Sequence, residues 1–311
     1  MIKKIAFFLL FLFLPLLGLY YYTFKYLHAS IETPKLLFIP QGSTKRTIVA
    51  FKQAGIDLHW FDDYLIKRYG HPQAGWIDIG VKKLSREAFF KKITHAKAAL
   101  QKVTLIPGET AVIFLESLAK ELNLDEQTLK KEFMKQSPYH DGVIFAETYR
   151  VPLGIDEKSL ISYLVETSLQ EHEKLSKEHL QHYHDKEWFE DIVTKASIIQ
   201  KEAANVDEMP IVSAVIRNRL KKKMKLQMDG TLNYGKFSHI RVSAKKIRDD
   251  VSFFNTYKHL GLPPYPVCAV SKEAIRAALN PADVDYLYFV KGKDGKHLFT
   301  KSYKQHLRNI K

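Results

Sequence analysis

The stretch Ser197–Gly235, SIIQKEAANVDEMPIVSAVIRNRLKKKMKLQMDGTLNYG, sets out two helical patterns followed by a polar turn. Working back from it, Phe189, Ile192, Val193, Ala196, Ile199 and Ala203 recur at steps of three and four and mark one buried helix face. Glu202 follows Ile199 by three residues and Ile198 by four, so it falls at the margin of that face; Lys195 and Lys201 point elsewhere. A solitary acid beside apolar side chains can hold a proton near neutral pH and act as a general acid. The plain alternative is a solvated surface carboxylate.

Met209-Pro210 opens the second helix, with proline suited to a first turn, and Val212, Val215, Ile216 and Leu220 supply its core face. Arg217, Arg219, Lys221, Lys222, Lys223 and Lys225 cluster near its end. They read as a complement to the helix dipole or as the side of a groove for an anionic polymer. Gln227, Asp229, Thr231, Asn233 and Tyr234 then provide hydrogen-bonding groups and a ring of the kind that binds sugars, although Asp229-Gly230 also reads simply as a turn.

The chain has 311 residues, 46% of them hydrophobic and 26% charged, which suits two folded domains and excludes a disordered chain. Ile5–Phe24 is a nearly unbroken apolar run, IAFFLLFLFLPLLGLYYYTF. Twenty helical residues rise about 30 Å, the thickness of a bilayer core. With Lys3 and Lys4 before it and Tyr20, Tyr21 and Tyr22 at its end, the run predicts a retained single-pass anchor in the inner membrane. The N-terminus would then be cytoplasmic and the body extracytoplasmic. A cleaved signal peptide is the competing reading, with only a poor cleavage site at His28-Ala29-Ser30. One cysteine, Cys268, excludes an internal disulfide framework and reads as a small core residue. The net charge of +14 favours anionic lipid or wall polymer; outside the cytoplasm nucleic acid is a poor partner.

The expected fold class is α+β: a transmembrane helix, a small α+β unit, and a larger α+β domain. The boundaries are residues 1–25 for the stub and anchor, 26–35 for a linker, 36–103 for the small unit, and 104–311 for the large one. In the small unit LLFIP, GWIDIG and VTLIP read as strands, and Ser43 caps a helix, whereas Ser85 to Glu87 departs from the capping-box spacing. Lys158 to about Phe189 reads as one long charged helix, continuing through 191–204. His179, His182 and His184 lie in a polar, lysine-rich stretch without cysteines; this reads as a solvated helix rather than a metal site. No cofactor and no metal are expected.

The central block resembles the YceG-like family of membrane-anchored endolytic murein transglycosylases. Ala196-Ser197-Ile198-Ile199-Gln200-Lys201-Glu202 is similar to the family's A-S-I-x-x-K-E. Asn218-Arg219-Leu220, Met224, Leu226-Gln227, Asp229, Thr231 and Tyr234-Gly235 follow its N-R-L…M-x-L-Q-x-D-x-T…Y-G. I-P-G-E-T stands at Ile106 to Thr110, and Gly142 to Arg150 resembles G-x-x-F-P-x-T-Y-R. Further matches are Asn255-Thr256-Tyr257, Gly261 to Pro264 and Tyr286 to Val290, with His297, Phe299 and His306 beyond. Departures occur at Ala146-Glu147, at Tyr265 in place of the usual glycine, at Ala269-Val270-Ser271 and at Leu307.

The resemblance implies cleavage of MurNAc–GlcNAc β-1,4 bonds in nascent glycan strands without water, leaving 1,6-anhydroMurNAc ends and terminating elongation. It implies Glu202 as the catalytic residue, substrate binding by Gln227, Asp229, Thr231, Tyr234, Tyr149 and Asn255, and a LysM-like small unit. Peptidoglycan strands would be the substrate and penicillin-binding proteins of the elongation machinery the partners. Two rivals stand beside it: a hydrolysing glycosidase pairing Glu202 with Asp229, and a non-catalytic anchored wall-binding protein.

Overall fold

A computed structural model describes residues 2–40 and 42–310, with side chains from residue 13 onward apart from residue 41. Helix α1 spans Ile2–His28. The first part of the apolar run and its lysine flank therefore have side chains outside the described residues. Among the described residues no helix is long and apolar enough to cross a membrane. This overturns the expected single-pass anchor over Ile5–Phe24, and with it the inner-membrane placement and the cytoplasmic N-terminus. The physical reason is the polarity of the described side chains of α1, which include Tyr20, Tyr21, Tyr22, Thr23, Lys25 and His28.

The chain folds as two compact units, Met1–Gln101 with Arg150–Gly154, and Lys102–Tyr149 with Ile155–Lys311. In the first, β1 (Ser30–Glu32) pairs antiparallel with β4 (Lys83–Ser85), and β2 (Leu36–Ile39) with β3 (Gly75–Asp78). Between and after them lie α2 (Thr44–Gln53), α3 (Asp62–Tyr69) and α4 (Arg86–His95). Strand β2 alternates, sending Leu37 and Ile39 inward and leaving Leu36 and Phe38 outside. Ile48 and Phe51 of α2 and Phe89, Phe90 and Ile93 of α4 meet these side chains in one core.

Ser43 caps α2 as expected, accepting from the Arg46 N–H at 3.4 Å. Ser85 also caps a helix: its Oγ accepts from the Ala88 N–H at 3.2 Å. The capping box needs an acid at the third position, where Ala88 stands, but the serine half works without it because it needs only the backbone donor. Inside this unit the Tyr26 hydroxyl donates to both oxygens of Asp62, at 3.0 and 2.9 Å, and the Arg86 guanidinium pairs with Asp57.

The chain passes between the units along β5 (Leu100–Thr104) and β6 (Thr148–Pro152), which pair with each other. In the second unit α5 (Ala111–Leu122) and α6 (Glu126–Gln136) precede α7 (Glu157–Leu180). The single helix expected over 158–189 is broken. Gln181 adopts the left-handed conformation, φ 63°, and its N–H closes the last turn on Lys177 O at 3.1 Å. A short α8 (Asp185–Glu187) then leads into a π-helical turn over Trp188–Val193 and on to α9 (Thr194–Glu202). No glycine or proline marks the break, so the sequence carries no signal for it.

His172 of α7 is fully buried, its Nε2 facing Val143 O at 3.0 Å and its Nδ1 accepting from Trp188 Nε1 at 2.9 Å. Burial pushes the imidazole down to about 3, so it stays neutral and serves as a fixed bracket between α7 and the π turn.

Helix α10 (Met209–Lys221), a short α11 (Ala244–Asp249) and α12 (Lys272–Leu279) follow. The antiparallel hairpin of β7 (Tyr288–Lys291) and β8 (His297–Thr300) and then α13 (Tyr303–Asn309) end the chain. The α9–α10–α12 layer packs Ala196, Ile198, Ile199, Val212, Val215, Ile216 and Ile275 into the interior with essentially no exposure. Cys268 is buried there too.

Truncating Phe89, fully buried in the first core, should lower unfolding free energy by about 3–5 kcal/mol. A denaturant titration of Phe89→Ala checks this, and a loss below about 1 kcal/mol would contradict the packing described.

Candidate active site

The site begins at the π turn. Its extra residue shifts the register before α9, and Thr194 Oγ1 bonds Phe189 O, five residues back, at 2.7 Å. Ser197 is fully buried and uses both of its oxygens. Its Oγ accepts from the Val267 N–H at 3.0 Å, and its carbonyl faces Cys268 Sγ at 3.4 Å. Gln200 Oε1 accepts from the Ser271 N–H at 3.1 Å. The serine and glutamine of the A-S-I-x-x-K-E block are thus ties that fix α9 against the 267–271 segment.

Glu202 is the last residue of α9, and Ala203 turns extended, with ψ 134°. Its Oε1 accepts from the Gly230 N–H at 2.6 Å. Glycine is required there. A Cβ on Gly230 would stand 2.5 Å from Lys201 Cβ and 2.9 Å from Glu202 Oε1.

The turn that delivers Gly230 is braced from behind. Gln227 is left-handed, φ 50°, and its N–H bonds Thr256 O at 3.1 Å. The Met228 N–H bonds Thr256 Oγ1 at 3.1 Å, and Thr231 Oγ1 bonds Met228 O at 2.7 Å and meets Thr256 Oγ1 at 3.0 Å.

Glu202 lines a cavity of about 410 Å³ together with Gln227, Asp229, Arg219, Tyr257 and a wall of C-terminal residues that includes Tyr288, His297 and His306. Burial pushes the Glu202 carboxyl up to about 7; the Gly230 N–H and the Arg219 charge oppose the rise, and the Asp229 charge adds to it. The residue as a whole keeps a partly exposed edge. A carboxyl in this state can both give and take a proton at neutral pH. Asp229 Oδ1 is held by the Tyr257 hydroxyl at 2.6 Å.

The other sequence-derived candidates sit as follows. Gln227 and Asp229 line the Glu202 cavity. Thr231 is fully buried within the brace. Asn255 is buried as well. Its Nδ2 bonds Ile247 O and Asp250 O at 2.8 and 2.7 Å, and its Oδ1 accepts from the Tyr257 N–H at 3.1 Å, so it orients Tyr257.

Tyr234 donates to Asp250 Oδ2 at 3.0 Å, stacks on Phe254 with centroids 4.5 Å apart, and lines a separate cavity of about 360 Å³ with Phe133, Asp141 and Tyr265. Tyr149 is buried, its hydroxyl bonding Phe145 O at 2.9 Å and facing Ser168 Oγ at 3.0 Å; neither cavity includes it. Tyr257 and the wall from Tyr288 to His306 were matched only as motif residues, with no chemical role, and Arg219 was read only as one of a basic cluster that could complement the helix dipole or line an anionic-polymer groove.

The model of the YceG-like family matches residues 37–311. The chain belongs to the YceG-like family. It is 29% identical over 297 residues to an endolytic murein transglycosylase of Bacillus subtilis, covering 86% of this chain and 81% of that protein. Identity is 26% over 318 residues to an endolytic murein transglycosylase of Streptococcus pneumoniae serotype 2, with 88% of this chain covered. The match spans 57% of that longer relative. The fold resembles the crystal structure of a yceG-like protein from Listeria monocytogenes, with a TM-score of 0.57 at 22% identity, covering 90% of this chain and 98% of that one. As a YceG-like chain it carries the acid, the Gly230 donor and the Q-x-D-x-T turn as one bonded assembly.

The raised carboxyl makes the fold sensitive to pH. A group whose folded pKa exceeds its unfolded value stabilises the fold below the unfolded value and loses that contribution as pH rises through the folded one. For Glu202 the window runs from the ordinary 4.5 to about 7. Glu202→Gln, which keeps the acceptor for Gly230, should therefore stabilise the protein at pH 8 by up to about 3 kcal/mol. The gain should vanish near pH 4.5, and paired thermal melts across that range check it.

Proposed function

We propose that this chain is a lytic transglycosylase acting on peptidoglycan, cutting MurNAc–GlcNAc β-1,4 bonds endolytically within glycan strands. The curated relatives are named endolytic murein transglycosylases, which supports the reading. The observation that carries the reading here is the carboxyl of Glu202, holding its proton near neutrality against one backbone N–H in a cavity of about 410 Å³.

In the proposed reaction Glu202 donates its proton to the glycosidic oxygen, which leaves as the C4 hydroxyl of GlcNAc. The C6 hydroxyl of MurNAc then attacks C1 and returns its proton to Glu202, giving the 1,6-anhydro end and the starting enzyme. Because the nucleophile belongs to the sugar, no water and no second carboxylate are needed, and proximity favours the ring closure. Gln227 and Asp229 hold sugar hydroxyls in this reading. Thr231 and Asn255 act by bracing the turn and Tyr257, Tyr234 by lining the neighbouring cavity, and Tyr149 by packing in the interior.

Residues 36–103 are taken as the LysM-like module and residues 104–311 as the catalytic part. Strand-polymerising penicillin-binding proteins are the proposed partners, since they produce the uncrosslinked strand that such a cut would end.

Asp229 favours one second reading. Its carboxylate lies in the same cavity as Glu202, so a hydrolase with a carboxylate pair is chemically available. The products separate the two: transglycosylation leaves anhydro ends and hydrolysis leaves reducing ends. On purified peptidoglycan we expect anhydro ends, and at least a hundredfold loss in Glu202→Gln. Retained turnover in that variant would refute the assignment. For the wild type kcat/KM should fall about tenfold per pH unit above roughly 7, as Glu202 loses the proton it must donate.

A further inference from the structure

We propose that Arg219 is a positioning residue for the chemistry of Glu202: one buried guanidinium binds both walls of the groove and keeps a fixed positive charge inside it. This rests on the reading of Glu202 as the proton-transferring group. Arg219 belongs by sequence to the basic run at the end of α10, where lysines and arginines ordinarily reach into solvent. Arg217, Lys221, Lys222, Lys223 and Lys225 do so, whereas Arg219 is 7% exposed.

Burying a guanidinium is costly unless its donors are satisfied. Nε donates to Leu287 O at 2.6 Å, just before β7. Nη1 donates to Leu226 O, with a longer contact to Lys225 O, immediately before Gln227 and Asp229. The guanidinium also sits over the Tyr288 ring, 5.3 Å from its centroid. Asn218 strengthens the same tie, donating to Val284 O and Tyr286 O at 2.8 and 3.0 Å. The turn that carries Gly230 and the C-terminal wall are therefore held by adjacent side chains of one helix.

All of Arg219's acceptors are neutral carbonyls, so its charge is left to act on the groove. Among the described residues the other titratable groups lining the cavity are Asp229, Tyr257, Tyr288, Lys291, His297, Tyr303 and His306. Of these His297 is engaged with Glu208 at 2.7 Å and Asp229 with Tyr257. Charged groups on the elements packed against α9 are turned to other partners or away from the cavity. Lys201 bonds Ser238, Asp191 pairs with Lys195, and Lys272 pairs with Glu147 and Glu171. Glu190, Glu273 and Arg276 do not line the cavity. Among the described residues, Arg219 is thus the buried fixed cation opposing Asp229 at the acid.

A fixed positive charge favours the ionised carboxylate, so its removal should let Glu202 keep its proton to higher pH. The full-length protein is assayed on purified peptidoglycan as wild type, Arg219→Met, Arg219→Gln and Arg219→Lys. Removing the charge in the Met and Gln variants should move the alkaline limb of kcat/KM upward by about half a pH unit, the size of a solvent-screened charge pair. The Lys variant keeps the charge but loses the forked contacts. It should hold the limb in place while kcat falls about tenfold, as the two walls separate.

A purely structural role would lower activity in all the variants with one common limb, and that result overturns the proposal. Titration of the 13C-labelled Glu202 carboxyl by NMR reads the same shift without turnover. If the wild type makes no anhydro ends the functional reading fails. If the carboxyl titrates identically with and without the Arg219 charge, the role of Arg219 fails.

Discussion

The contact between the Gly230 N–H and Glu202 Oε1 is the constraint around which the second unit is arranged. At 2.6 Å it leaves no space for a side chain at residue 230, so turn and helix end must be brought together by everything behind them. It also has a defined electrostatic sense. The donor stabilises the ionised form, yet burial outweighs it, and the carboxyl remains protonatable near neutrality. A looser approach would surrender orientation, and a second strong donor would hold the group ionised and remove its use as an acid.

What lies behind the contact is a set of short polar ties rather than apolar packing alone. Ser197, Gln200 and Thr194 fix α9 from one side, and Thr256 and Thr231 fix the turn from the other. Glu208 fastens the C-terminal hairpin to the exit of α9: its oxygens accept from the His297 N–H and Nδ1 and from the Ala204 N–H. Burial alone would push the Glu208 carboxyl up, but these hydrogen bonds reverse that and hold it below the usual carboxylate range. Each tie satisfies a buried polar group that would otherwise cost about 1–3 kcal/mol. The network therefore sets one geometry at little net expense in stability.

Much of the site was legible because helical periodicity is a strong signal. The stripe from Phe189 to Ile199 placed Glu202 at the margin of a buried face, and the structure finds it as the last residue of α9, after the buried Ile198 and Ile199. Three things escaped, each for a physical reason. The π turn and the break at Gln181 involve ordinary residues in unusual backbone states, which composition does not report. Arg219 looked like one more dipole-complementing cation, and only tertiary contacts distinguish it from Arg217 two residues away. The apolar N-terminal run was read by length and flanks as a membrane span, but among the described residues no helix meets the length and hydrophobicity that spanning requires.

The first folded unit is discontinuous, and this bears on how the protein can be dissected. Its last piece, Arg150–Gly154, returns after an excursion through the second unit. There the Leu153 N–H bonds Ala99 O at 2.9 Å, and Gly154, at φ +70°, passes so near Trp76 that an added Cβ would lie 2.7 Å from the indole nitrogen. A stop codon after residue 101 would therefore strip the first unit of its closing segment. Expressing the halves as separate pieces would give each a missing or surplus strip of chain, so independent folding calls for a permuted or grafted design.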